Sequence, residues 1–106
     1  MKMALDYDDT YTRDPLFWNG VILYAQERGH EVWCVSARHP SNMGEVELTV
    51  GRLIGRDKCV GTDGVAKADF MWDAYEQVFS VWIDDKPEAV VTDTNKSHFP
   101  HFYPDN

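Results

Sequence analysis

Continuous apolar runs alternate with segments of helical period along this chain, and few folds accommodate that order. "VWCV" at Val32 to Val35 and "VFSVWI" at Val78 to Ile83 are rich in β-branched and aromatic residues with almost no polar interruption. Strands of that kind are buried on both faces, as in a parallel sheet. A shorter run from Met1 ends in acid at Asp6, and "DKCVG" reads as a fourth, short strand. Between the first two runs, Asp14 before Pro15 marks a helix N-terminus, and Arg28-Gly29 marks its end. Phe17, Val21, Tyr24 and Ala25 recur there at helical spacing.

The same reasoning predicts a second helix from Asn42 and Glu45, in capping-box spacing, through Val46, Val50, Leu53 and Ile54 to a stop at Gly55. A third covers "VAKADFMWDAYEQ", and "PEAVV" starts a short last one. The tail "NKSHFPHFYPDN" has the aromatics for one edge strand, limited by its prolines. Strands alternating with helices require crossovers, and the expected fold is an α/β three-layer sandwich, Rossmann-like, with a small, mainly parallel sheet. With 106 residues the chain forms one domain, residues 1–106.

Ligands bind such sheets at the carboxyl ends of the strands. The polar residues at those ends are Asp6, Asp8, Asp9 and Thr10, then Ser36, then Asp84 and Asp85. Asp6 and Asp8 at i and i+2 share one side of an extended segment, with Thr10 beside them. Converging carboxylates repel unless a cation compensates them. Hard oxygen ligands suit Mg²⁺.

The formal charge is −8, from Lys+Arg 10 against Asp+Glu 18, which argues against a broad nucleic-acid-binding surface. No apolar run reaches the ~18 residues of a membrane span, and the N-terminus reads as neither a signal nor a transit peptide. Cys34 and Cys59 show no metal or redox spacing, so the expectation is a reduced, cytoplasmic protein. Trp18, Trp33, Phe70 and Trp82 fall at core spacing and read as packing.

The ordered motifs resemble those of the haloacid dehalogenase superfamily of phosphotransferases. Its D-x-D-x-T is matched by Asp6-Tyr7-Asp8-Asp9-Thr10, its strand ending in Ser or Thr by "VWCVSAR" at Ser36, its helix lysine by Lys67, and its acid pair by "VWIDD" at Asp84 and Asp85. The resemblance implies that Asp6 is a nucleophile forming an aspartyl-phosphate and that Asp8 is the general acid and base. Lys67 would neutralise charge between nucleophile and phosphate. Thr10, Ser36, Ala37 and Arg38 would contact substrate. Mg²⁺ would be held by Asp6, Asp84, Asp85 and the backbone carbonyl of Asp8.

Asp9 stands where the family usually has Gly, and neither customary place has room for a cap domain. The site is therefore expected to be open. It would take a phosphate that protrudes, such as a nucleic-acid end, or a small molecule enclosed by a second subunit of a homo-oligomer. Two other readings use the same residues. One is a catalytically impaired binding protein of the same fold, which Asp9 motivates. The other is a receiver-like signalling domain, suggested by Asp8-Asp9 and Lys86-Pro87; it lacks a strong middle strand ending in the phospho-accepting Asp.

Overall fold

The computed structural model describes residues 1–94. Four strands, β1 (Lys2–Leu5), β2 (Glu31–Ser36), β3 (Cys59–Gly61) and β4 (Val81–Ile83), form one sheet in the order β3-β2-β1-β4. Every pairing is parallel: Leu5 lies opposite both Cys34 and Ile83, and Cys34 opposite Cys59. The chain builds outward from β1 to β3, then returns to place β4 on the other side of β1. The order reverses between β1 and β4, and that is where open α/β sheets leave a crevice at their carboxyl ends.

The helices are α1 (Pro15–Glu27), α2 (Gly44–Leu48), α3 (Gly51–Ile54), α4 (Lys67–Tyr75) and α5 (Glu88–Val91). Successive strand residues point to opposite faces, and the core divides accordingly. Leu5, Val32 and Cys34 pack with Ile22 and Ala25 of α1, with Val46 of α2, with Ile54 of α3 and with Val50 between those two helices. Ala4, Trp33, Val35 and Val60 pack on the opposite face with Phe79 and with Met71 of α4. The result is a three-layer α/β sandwich. Trp33 is T-stacked on Phe79, which is T-stacked on Trp82, so these aromatics serve as packing. Cys34 and Cys59 are free thiols. Among the described residues no helix is long and apolar enough to cross a membrane.

The first helix begins as its sequence dictates: the Asp14 side chain accepts the Phe17 N–H and Pro15 takes the first helical position. Gly29, at φ +85°, ends it in the left-handed region that favours glycine.

The helix expected from Asn42 to Ile54 is instead two. Asn42 closes a 3-10 turn over Pro40–Asn42, Met43 caps α2 without a side-chain bond, and Glu45 turns to Arg38, so no capping box forms. The break falls at Thr49, whose hydroxyl donates to the carbonyls of Glu45 and Val46. A side chain that engages the preceding turn in this way bends helices. The last strand is also shorter than its apolar run, with β4 limited to Val81–Ile83. The edge strand expected in the tail lies outside the described residues.

Candidate active site

Asp6 follows β1 directly, and its N–H donates to the carbonyl of Ile83, tying the ends of β1 and β4 together. The next residues are not extended. Thr10 and Tyr11 N–H return to the carbonyls of Tyr7 and Asp6, so the chain coils into a turn. The alternation expected of Asp6 and Asp8 therefore does not operate. Tyr7 enters the core, stacked on Tyr11, while Asp8 and Asp9 stand exposed. Asp9 sits at φ +62°, a backbone that most residues avoid and that Asp tolerates better than most.

Lys67 is the first residue of α4, and its side chain is only 2% exposed. Its Nζ donates to Asp6 Oδ1 at 2.8 Å and to Asp84 Oδ2 at 2.6 Å. Thr10, also buried, donates its hydroxyl to Asp6 Oδ2 at 3.1 Å and accepts the Asp85 N–H at 3.2 Å. Asp84 Oδ1 takes the Lys86 N–H. Burial raises the Asp6 carboxyl to a pKa of about 6, with Lys67 pulling the other way. Burial also works against the Lys67 charge, but Asp6 and Asp84 outweigh it and hold this amine above the ordinary lysine value.

Asp6, Asp84 and Asp85 each offer one oxygen, all within 4.8 Å of one another. Asp6 and Asp84 share a single buried ammonium and Asp85 stands exposed beside them, which leaves room in the charge balance for a divalent cation. Hard oxygen donors at this spacing fit Mg²⁺. The Asp8 carboxylate is not one of this cluster; it lies across the cleft in another pair. Arg38 Nη2 donates to Asp8 Oδ1 at 2.7 Å and Nε to Oδ2 at 2.9 Å, and this fork holds Asp8 below the usual carboxylate range. The side chains are 25% and 50% exposed, so the pair contributes only about 1 kcal/mol.

These groups surround a cleft of about 240 Å³ at the strand ends, whose wall includes Asp6, Asp8, Lys67, Asp84, Asp85 and the Ala37 position. Of the substrate-contact residues expected, only Ala37 lines it. Thr10 lies behind Asp6. The Ser36 hydroxyl is buried and accepts the Arg38 N–H, and the Arg38 side chain stands beyond Asp8. Lys86, Ala89 and Thr94 also line the cleft. Of these, Lys86 carried a sequence signal, the turn after the acid pair; Ala89 and Thr94 carried none.

Neighbouring loops brace one another through backbone bonds. The N–H groups of Thr62, Asp63 and Gly64 donate to the carbonyls of Ser36, Arg38 and Ala37, and the Gly64 carbonyl in turn accepts the Thr94 N–H. The Asp93 side chain accepts the Ala66 N–H at 2.8 Å, supplying the cap that α4 lacks locally. Gly61 is a tight point, because a Cβ there would lie 2.6 Å from the Arg38 carbonyl oxygen. Gly61→Ala is expected to lower unfolding stability by about 1–3 kcal/mol through overpacking. Urea unfolding reads this directly, and an unchanged midpoint would mean the loop yields freely.

No protein-family model, curated protein or solved structure matches the chain.

Proposed function

We propose that this protein is a phosphomonoesterase of the haloacid dehalogenase type, using Asp6 as nucleophile and Mg²⁺ as cofactor. The observation that supports the reading is the convergence of Asp6, Lys67, Asp84 and Asp85, from three separate segments, on one cleft at the strand ends. A lysine buried between two carboxylates costs desolvation, and a site that handles phosphoryl charge gives that arrangement a use.

Two displacements follow from the residues present. An Asp6 oxygen attacks phosphorus, the bond to the leaving oxygen breaks, and Asp8, released from Arg38 and carrying a proton taken from solvent, gives that proton to the leaving oxygen. Water then attacks the aspartyl-phosphate as Asp8 takes its proton, which releases phosphate and regenerates Asp6. Lys67 stabilises the negative charge gathered beside Asp6. Asp6, Asp84 and Asp85, with the backbone carbonyl of Asp8, would hold Mg²⁺, which would supply charge neutralisation on the transferring group. Among the described residues no aromatic ring lines the cleft, which supports a site for the phosphoryl group rather than for a base. The acid cluster and the cytoplasmic reading of the cysteines both agree with a Mg²⁺-dependent enzyme acting on phosphorylated metabolites or nucleic-acid ends, with or without a second subunit.

Phosphate release from phosphomonoesters, present with Mg²⁺ and lost with chelator, tests the reading; a rate unaffected by chelation would overturn it. Mg²⁺ bound only to the folded state also stabilises it, by about 2.7 kcal/mol at a hundredfold excess over Kd. Thermal melts are expected to rise with Mg²⁺ in the wild type and to respond far less in Asp84→Asn. Equal responses would place the metal elsewhere.

A further inference from the structure

The mechanism requires Asp8 to exchange a proton with the leaving oxygen, yet both of its carboxylate oxygens are occupied by Arg38. Arg38 does not depend on Asp8 for its position. Its Nη1 donates to the Asn42 carbonyl at 3.1 Å, and Nη2 also reaches Glu45 Oε1 at 3.2 Å. The guanidinium lies over the Tyr7 ring, 5.1 Å from its centroid, and the Arg38 backbone is fixed by Ser36 and Asp63. If Asp8 withdrew, these anchors would keep the guanidinium in place. The donors that had held Asp8 would then be left without an acceptor.

Position limits what could satisfy them. Asp8 lines the cleft, and Arg38 meets the cleft through its fork on Asp8. The leaving group departs past Asp8, which protonates it, and a cation just beyond Asp8 meets the leaving group rather than the phosphoryl. We infer that Arg38 exchanges between Asp8 and a second oxyanion carried on the leaving group, so that substrates with a phosphate or phosphodiester adjacent to the scissile ester free Asp8 for proton transfer. The inference rests on the phosphomonoesterase reading of the site. Asp8 is exposed and Arg38 half-buried, so water still reaches the pair, screens its attraction and lets separation be reversed. A phosphodiester oxyanion presents two oxygens to the same planar fork, replacing one bidentate partner with another. A substrate with one phosphate offers no such replacement and must break the pair uncompensated.

Three probes separate the possibilities: thymidine 5′-monophosphate, thymidine 3′,5′-bisphosphate and 5′-phosphorylated dithymidylate. With Mg²⁺ present, wild-type kcat/KM is expected to favour at least one of the two-anion probes over the monophosphate by roughly tenfold, the ordinary worth of a charge-assisted hydrogen-bonded pair. Preference for the dithymidylate alone identifies a polynucleotide end, and preference for the bisphosphate alone a small metabolite. Arg38→Met should bring the ratio close to one, and Arg38→Lys, which keeps the charge but not the fork, should restore only part of it. Equal wild-type handling of the three probes, or a preference that survives in Arg38→Met, would overturn the inference. Calorimetric binding of the same probes to Asp6→Asn, with and without Arg38→Met, gives a second readout. If the wild type hydrolyses none of them, the phosphomonoesterase reading fails alone. A binding preference that depends on Arg38 would still support the exchange, and its absence would overturn that as well.

Discussion

Asp6→Asn is expected to reduce Mg²⁺-dependent phosphate release by roughly 10⁴-fold or more while leaving the protein folded. Loss of a nucleophile removes the covalent route altogether, and losses of this size accompany removal of such residues in hydrolases. The fold should survive because the ionised carboxylate is itself costly where it sits: burial dominates its raised pKa, and an amide of the same shape avoids that cost. The amide oxygen can still accept from Lys67, and Lys67 keeps Asp84. Turnover and thermal melts on one preparation separate the two effects. A variant that retains wild-type turnover would show that Asp6 does not attack phosphorus, and one that unfolds would make the activity loss uninformative about chemistry.

The largest expected effect on stability comes from Lys67→Met. The methionine fills much of the same volume, but it leaves the Asp6 and Asp84 carboxylates, both nearly inaccessible to water, without the ammonium between them. Breaking one side of a buried pair costs about 3–5 kcal/mol, because the remaining charge is left uncompensated. In a domain of this size that corresponds to tens of degrees of melting temperature, at about 4–8 °C per kcal/mol. Mg²⁺ should recover more stability in this variant than in the wild type, since the cation is then the main compensation for the acids. Urea unfolding with Mg²⁺ and with chelator measures both quantities. A metal-free loss below about 1 kcal/mol would mean that the carboxylates do not depend on Lys67.

The sequence carried the fold where a local cause produced it. Asp14, Pro15 and Gly29 bound α1 through short-range capping, and the apolar run at Val32 becomes a buried strand, while the run at Val81 becomes a half-buried strand at the sheet's edge among the described residues. Thr49 was not legible as a break, because its bonds to Glu45 and Val46 compete with a helix that every apolar position favours. In the site, the acids at the strand ends were readable from strand polarity alone. Their partners were less so. The sequence suggests like charges in need of a metal, whereas Lys67, 61 positions from Asp6, already compensates part of that charge. Likewise nothing local to Asp8 predicts that Arg38, 30 positions away, grips it. The i, i+2 argument for Asp6 and Asp8 failed because it presumed an extended chain where the backbone turns.

The strand order β3-β2-β1-β4 also fixes when such a protein can work. Asp6 leaves the ribosome well before Asp84, and the two meet only when β4 pairs with β1, joining Met3 to Val81. Closing a loop of that length is an entropic cost met late in assembly, and non-local parallel pairing slows folding. A nascent chain lacking β4 would hold Asp6 and Lys67 but not the second carboxylate that grips the lysine. Competence at this cleft therefore waits for β4 to join the sheet.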